Sequence, residues 1–297
     1  MKLSILTSTY NREKYLPKLY ESIKNNLKYG LNAEWIIIDD GSSDNTKEQI
    51  QKFIEENVVS IKYYYQENRG KMAAINKAVE LIDGDLAVDC DSDDFFTEDS
   101  FKIINENSEK LLKDESLYGL VFLKKEENGE ISGKRFKTNN YITTMFDLYF
   151  KDDIGGEKII VYNSKIRKQY FHQLENNEKF ITEARMYHKM DEKYKLLAIN
   201  APIEQGSYIE NGYTKNINKT FIESPYGYYM YFKEILEKDM KGVIFKKRIY
   251  AIKHYILFGY LTKNKYNSSS IKDNKNKFLY ALLYFPGIIK SKKWNIK

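Results

Sequence analysis

Four short apolar runs constrain this chain more than any other feature: LSILTSTY from residue 3, WIIIDDG from 35, VVSIKYYY from 58 and GDLAVD from 84. Stretches with helical spacing separate them, the second opening at Asn45 with Glu48 three residues on, the pattern of a capping box. Runs of this kind alternating with helices predict a parallel sheet joined by crossover helices. In such sheets ligands bind outside the carboxyl ends of the strands. Tyr10, Asp39, Asp40 and the cluster Asp89, Asp91, Asp93, Asp94 all fall at those ends.

From about residue 100 to 210 the pattern is less regular. It predicts a helix near 99–113, strands at YGLVFL, KIIVYN and KLLAIN, a polar hairpin at ENGEISGK and a helix near 183–193. There is one cysteine, Cys90, so no internal disulfide framework is available. His172, His188 and His254 have no metal-ligand spacing and read as structural. The start, MKLSILTSTYN, has too short an apolar run for a secretory signal and reads as a first strand. Neither GxGxxG after the first strand nor GxxxxGK[ST] occurs, so the usual dinucleotide and P-loop fingerprints are absent.

Four carboxylates within six residues repel one another unless a cation sits among them. Asp91-Ser92-Asp93-Asp94 could offer oxygens to Mg²⁺ or Mn²⁺, with substrate phosphates completing the shell. The plainer reading is a solvated turn capping the next helix. DDGSSDNT, from residue 39, has the composition of a strand-to-helix turn, although two acids directly after an apolar run place one near the sheet edge. Asn68-Arg69-Gly70-Lys71 precedes a helix, where backbone N–H groups and two cations could hold a phosphate.

Taken in order, TSTYN, IIIDDGSSDNT, NRGKMAAIN and GDLAVDCDSDD resemble glycosyltransferase family 2. ENNEKFITEARMYHK (175–189) and YIENGYTKN (208–216) resemble, more loosely, the acceptor half of bacterial members that assemble surface polysaccharides. The resemblance implies an α/β GT-A fold, Rossmann-like and nucleotide-diphospho-sugar-binding, with a mixed, mainly parallel sheet and flanking helices. It implies that Thr7, Tyr10 and Asp40 border the nucleoside, Tyr10 near the base and Asp40 accepting from it. Lys71 would contact the nucleotide, Asp93 would bind the metal, and Asp91 the ribose or a metal-bound water. Glu183 in FITEA would be the general base, with Glu178 and Glu175 as competitors; as a helix-start acid it also suits the dipole. The reaction implied is inverting transfer of a sugar from a nucleotide donor, by family habit UDP, to a hydroxyl of a surface glycan or a lipid-linked acceptor.

The formal net charge of +6 is unevenly divided: residues 241–297 hold 14 Lys+Arg against the single acid Asp273, leaving 34 against 41 in residues 1–240. Such a tail points to an anionic partner. Within it, VIFKKRIYAIKHYILFGYL has helical spacing, and FLYALLYFPGII, too short to span a bilayer and expected to break at Pro286-Gly287, has lysines on both sides. Peripheral contact with the inner face of the cell membrane, in a cytoplasmic enzyme, accommodates these features; so does packing on the catalytic domain or on a second copy, giving a homodimer. The organisation expected is a catalytic domain over 1–220, with a nucleotide-binding half 1–100 and an acceptor half 101–220, then a basic helical extension 221–297. Two other readings stand beside this one. A sugar-1-phosphate nucleotidyltransferase would show a Gly-rich basic N-terminal loop, which TSTYNREKYL does not offer, and a nucleic-acid-binding protein is suggested only by the tail and its tyrosines.

Overall fold

The computed structural model describes residues 1–175, 178–206, 217–264 and 271–294. The motif at 208–216 and most of the polar linker after Lys263 therefore lie outside the described residues.

The first four strands are β1 (Lys2–Thr9), β2 (Asn32–Asp39), β3 (Ser60–Tyr65) and β4 (Leu86–Asp89). They pair in parallel, with β1 between β2 and β4 and β3 outside β2. Their crossovers are α1 (Leu16–Asn26), α2 (Thr46–Glu56) and α3 (Lys71–Glu80). The chain runs outward from β1 to β3 and then returns to the other side of β1, so the reversal between β1 and β4 is a topological switch point, where a crevice opens at the strand ends. Leu3, Ile5, Trp35, Ile37, Leu86 and Val88 share one buried core with Leu19, Tyr20, Ile50 and Phe53 of α1 and α2. The two-residue side-chain period explains that selection, since each contributing strand position lies two residues from the next.

After β4 come the short β5 (Phe95–Phe96) and α4 (Ser100–Lys113), and the sheet continues with β6 (Leu117–Lys125), β7 (Tyr141–Thr143), β8 (Lys158–Asn163) and β9 (Lys195–Gln205). The order is β3-β2-β1-β4-β8-β6-β9-β5, with β7 also on β9. β8 is antiparallel to both β4 and β6, whereas β6 and β9 are parallel. ENGEISGK forms the expected reversal, through Glu126 N–H to Glu130 O and a bridge between Lys125 and Ile131. The remaining helices are α5 (Ser164–Arg167), α6 (Ala184–Met190), α7 (Ile217–Glu223), α8 (Pro225–Glu237), α9 (Phe245–Leu261) and α10 (Asn274–Trp294).

By its contacts the chain forms two compact units. The first comprises 1–145, 154–172 and 188–210; the second gathers 146–153, 173–187 and 211–297. Half of the buried residues in the core of the second unit are aromatic: Tyr228 stacks on Phe258 with ring centroids 5.1 Å apart, and Phe232 lies 5.0 Å from His254. Eight of the chain's 26 tyrosines lie in this core or against it.

Two local expectations are corrected. α10 does not break at Pro286 but runs through it. Pro286 is exposed, so the carbonyl it deprives of a donor can turn to water, and Gly287 sits where an added Cβ would come within 2.9 Å of Ile256. Nor does Asn45 cap α2 with its side chain; its N–H instead donates to Glu13 Oε2 at 2.9 Å.

At the amino-terminal edge of the sheet, Glu34 is fully buried and accepts from Lys2 Nζ (2.6 Å), Ser4 Oγ (2.5 Å) and Asp83 N–H (2.9 Å), with Lys62 Nζ at 3.0 Å. Burial pushes its carboxyl up, but these donors more than offset it and hold it down to about 2. The unfolded chain therefore takes up this proton first. The associated stability, about 3 kcal/mol, is present above pH 4.5 and lost as pH falls toward 2. Urea unfolding across that range should show a shallower loss for Glu34→Gln than for the native chain; identical slopes would rule the ledger out.

Candidate active site

Three loops meet at the switch point. The first, Tyr10 to Lys14 after β1, is zipped to the turn after β2. Asn11 N–H donates to Ser42 Oγ (2.9 Å), Ser43 N–H to Asn11 Oδ1 (2.8 Å), and Arg12 N–H to Thr46 Oγ1 (3.1 Å). Tyr10 itself is 48% exposed, leaving its ring available as a stacking surface. The DDGSSDNT turn is thus more than a connector, because it fixes the loop that carries Tyr10.

Asp39 and Asp40, both buried, divide the work of holding this corner. Asp39 accepts from Ser42 N–H at 2.8 Å and from the Tyr63 hydroxyl at 3.0 Å. Asp40 reaches across to the third loop: Oδ1 accepts from Gln66 Nε2 (2.7 Å) and Arg69 N–H (2.8 Å), and Oδ2 from Gly70 N–H (2.8 Å). This corrects the picture of Asn68–Lys71 as an amide cradle for phosphate, since two of its N–H groups are spent on Asp40. Gly41 is required where the two loops approach, having φ of +88° and only 3.0 Å between its would-be Cβ and Asn68 N.

Lys71, the first residue of α3, points its ammonium at the aspartate loop, 2.7 Å from Asp91 Oδ1 and 2.9 Å from Oδ2. That loop follows β4 and is closed by Asp94 N–H donating to Asp91 O at 3.0 Å. Asp93 forms no ion pair among the described residues. Burial first, and then the charge of Asp91, raises its carboxyl above the usual range. Asp94 faces the opposite way, into the protein, where Lys124 of β6 lies 2.6 Å from its Oδ2 and 2.5 Å from Glu157 Oε2. Burial lifts the Asp94 carboxyl to about 7 in spite of that lysine. Burial first, and then the charge of Asp94, also raises the carboxyl of Glu204 of β9, which is fully buried and whose Oε1 has no hydrogen-bond partner.

Thr7 is placed differently from the expectation that it borders a nucleoside. It is fully buried, and its hydroxyl is spent between Trp35 Nε1 and Cys90 O, both at 2.9 Å. It ties the start of the aspartate loop to β1 and β2. On the other side of β4, Arg167 of α5 is fully buried, 3.6 Å from Asp89 and over the Tyr162 ring at 5.3 Å. Lys124, Glu157, Glu204 and Arg167 were not among the residues singled out in the sequence.

The donor set suits a hard divalent cation. Among the described residues no three His, Cys, Asp or Glu form a closed cage, yet Asp93 is a carboxylate in no ion pair, felt only at longer range by Arg12 and Lys71, beside a bridged Asp91. Mg²⁺ and Mn²⁺ need no more than one or two such oxygens when phosphates complete the shell.

Glu183 falls in the second unit, immediately before α6, and accepts from the Tyr187 hydroxyl at 2.8 Å. Its competitors are occupied. Both oxygens of Glu178 take the Tyr226 and Gly227 N–H groups at the start of α8, each at 2.7 Å, and Glu175 pairs with Arg185 at 3.2 Å.

Comparison with known proteins agrees with this architecture. An uncharacterized glycosyltransferase of Mycoplasma genitalium is 34% identical over 113 residues, 37% of this chain and 38% of that protein. The undecaprenyl-phosphate 4-deoxy-4-formamido-L-arabinose transferase of Proteus mirabilis is 37% identical over 95 residues, 31% of this chain and 29% of its own. These matches span about a third of the curated relatives' lengths. Among solved structures, S. aureus TarS 1–349 in complex with UDP-GlcNAc superposes with a TM-score of 0.59 at 18% identity, covering 97% of this chain and 81% of that one. The mannosyltransferase PcManGT of Pyrobaculum calidifontis, in complex with GDP-Man and Mn²⁺, gives 0.52 at 14% identity, over 99% and 84%. Both likenesses concern the fold, which is that of GT-A glycosyltransferases. The model of glycosyl transferase family 2 matches residues 4–175, more than half of the sequence, and the chain belongs to that family.

Proposed function

We propose that the protein transfers a sugar, with inversion, from a UDP-sugar to a hydroxyl of a cell-surface glycan or lipid-linked acceptor. The observation that carries this reading is the Lys71–Asp91 bridge beside an Asp93 that has no ion pair among the described residues, at the switch point of the sheet. A cation and a carboxylate in no direct ion pair, side by side, suit a magnesium or manganese diphosphate. Tyr10 stacks on the base, and the second lone pair of Asp40 Oδ2 accepts from it. Asp91 turns from Lys71 to the ribose or to water, which frees Lys71 for a phosphate oxygen. Asp93 holds the metal, which when bound supplies Lewis-acid stabilisation of the leaving diphosphate. Glu183 takes the proton of the acceptor hydroxyl. Residues 1–100 form the donor half and 101–220 the acceptor half, while the basic extension from 221 keeps the enzyme at the cytoplasmic membrane face.

Calorimetric titration with UDP, GDP and ADP, each with and without Mn²⁺, tests the donor site. UDP should bind in a metal-dependent way, and Asp93→Ala should lose the metal dependence while keeping its melting temperature. If no nucleotide binds the folded protein, the proposal fails. Preference for oligonucleotides over UDP would replace it with the nucleic-acid reading.

A further inference from the structure

The two faces of α10 are treated differently. One is packed into the second unit: Asn276, Tyr280 and Ser291 are buried, and Gly287 lies against Ile256 of α9. The other carries Phe278, Leu282 and Phe285, which are 66%, 58% and 74% exposed. Their spacing of four and three residues sets them in a single row, about 10 Å long at 1.5 Å per residue. Ala281 and Pro286 are exposed along the same row. Three large apolar side chains in contiguous array ask for a partner in a way that scattered ones do not.

The surroundings of the row say what that partner is. Lys272, Lys275 and Lys277 are exposed at its amino-terminal end, and Lys290, Lys292 and Lys293 follow it in the sequence. From Asn274 to the last residue there is no acid. Were a second copy to cover the row, parallel and antiparallel pairings alike would set lysines against lysines, with no carboxylate of α10 between them. A surface of anionic headgroups over acyl chains meets both requirements together. No described helix is long and apolar enough to cross a membrane, so the contact is in the plane.

We propose that the Phe278–Leu282–Phe285 face of α10 is a docking surface for an anionic lipid bilayer. The three side chains enter the boundary between headgroups and acyl chains, and the exposed Lys272, Lys275 and Lys277 extend to lipid phosphates. This deepens the functional reading and rests on it for its purpose, because a lipid-linked acceptor is met at that surface; the surface itself stands on α10 alone.

The full chain should sediment with vesicles of phosphatidylcholine mixed with phosphatidylglycerol, and much less with phosphatidylcholine alone. Replacing Phe278, Leu282 and Phe285 together by serine should lower the bound fraction on the order of tenfold or more, with UDP affinity and melting temperature unchanged. Lys275→Gln with Lys277→Gln should keep weak binding but lose the preference for phosphatidylglycerol. The proposal is overturned if the native chain ignores anionic vesicles, or if the triple variant binds them as well as the native chain does. It is equally overturned if the row instead holds a dimer, seen by sedimentation velocity and lost in the triple variant. Vesicle binding by a protein that takes up no UDP would sink the transferase reading and leave the docking surface standing.

Discussion

Lys124→Met should cost the protein about 3–5 kcal/mol, the range for breaking a buried ion pair by removing one partner. The Lys124 ammonium lies between Asp94 and Glu157, at 2.6 and 2.5 Å, and the side chains of Lys124 and Asp94 are only 10% and 7% exposed. Four carboxyl groups act on this one ammonium, Asp94 and Glu157 directly and Asp91 and Glu204 from farther off, and Glu204 Oε1 has no hydrogen-bond partner. Methionine fills similar volume but leaves Asp94 with nothing to offset its burial. The double variant Lys124→Met, Asp94→Asn removes the buried acid that has lost its lysine and should regain part of the loss, a coupling that separates pairing from simple packing. Asp94 adjoins Asp93, so the single variant should also weaken metal-dependent UDP binding. Urea unfolding and nucleotide titration on the same preparations check both effects. A cost below about 1 kcal/mol, as for an exposed pair, would show that the network carries no such weight.

That network was invisible in the sequence for a physical reason. β6 is buried along nearly its whole length, so it has no alternation to mark an inward-pointing residue, and a lysine closing an apolar run reads as the strand's solvated end. The first four strands were legible because long apolar runs can go nowhere except a sheet interior, and the acids after them could only stand at its rim. Lys71 and the aspartate loop were each legible, one as the opening of a helix and the other as the end of a strand, but the bridge between Lys71 and Asp91 was not. The task of Asp40 was not, because its partners are the N–H groups of Arg69 and Gly70, which no side-chain pattern reveals. Among the described residues the short strands β5 and β7 pair with β9 alone, a contact made by the folded sheet and not by local sequence. Pro286 misled because the two costs of a helical proline, a lost hydrogen bond and a ring against the carbonyl four residues back, fall here on an exposed face, where that carbonyl can tilt toward solvent.

Glu183→Gln should lower transfer by about 10²–10⁴-fold while leaving UDP affinity near the native value, the signature of losing a general base and nothing else. Three acids in one short stretch compete for the role, and their bonds separate them. Glu178 is committed to the start of α8 through Tyr226 and Gly227, and burial raises its carboxyl. Glu175 shares Arg185 with Glu234, which meets that guanidinium at 2.8 Å. Both therefore hold the second unit together, and their glutamine variants should move the melting temperature before they move the rate. Glu183 has the Tyr187 hydroxyl one helical turn ahead, a contact that orients the carboxylate. Glutamine can accept from that hydroxyl and keeps the shape of the side chain, but it cannot take a proton. UDP release from UDP-sugars, followed beside thermal melts of all three variants, decides the matter. Native turnover by Glu183→Gln, or a rate collapse in Glu178→Gln at unchanged stability, would move the base elsewhere.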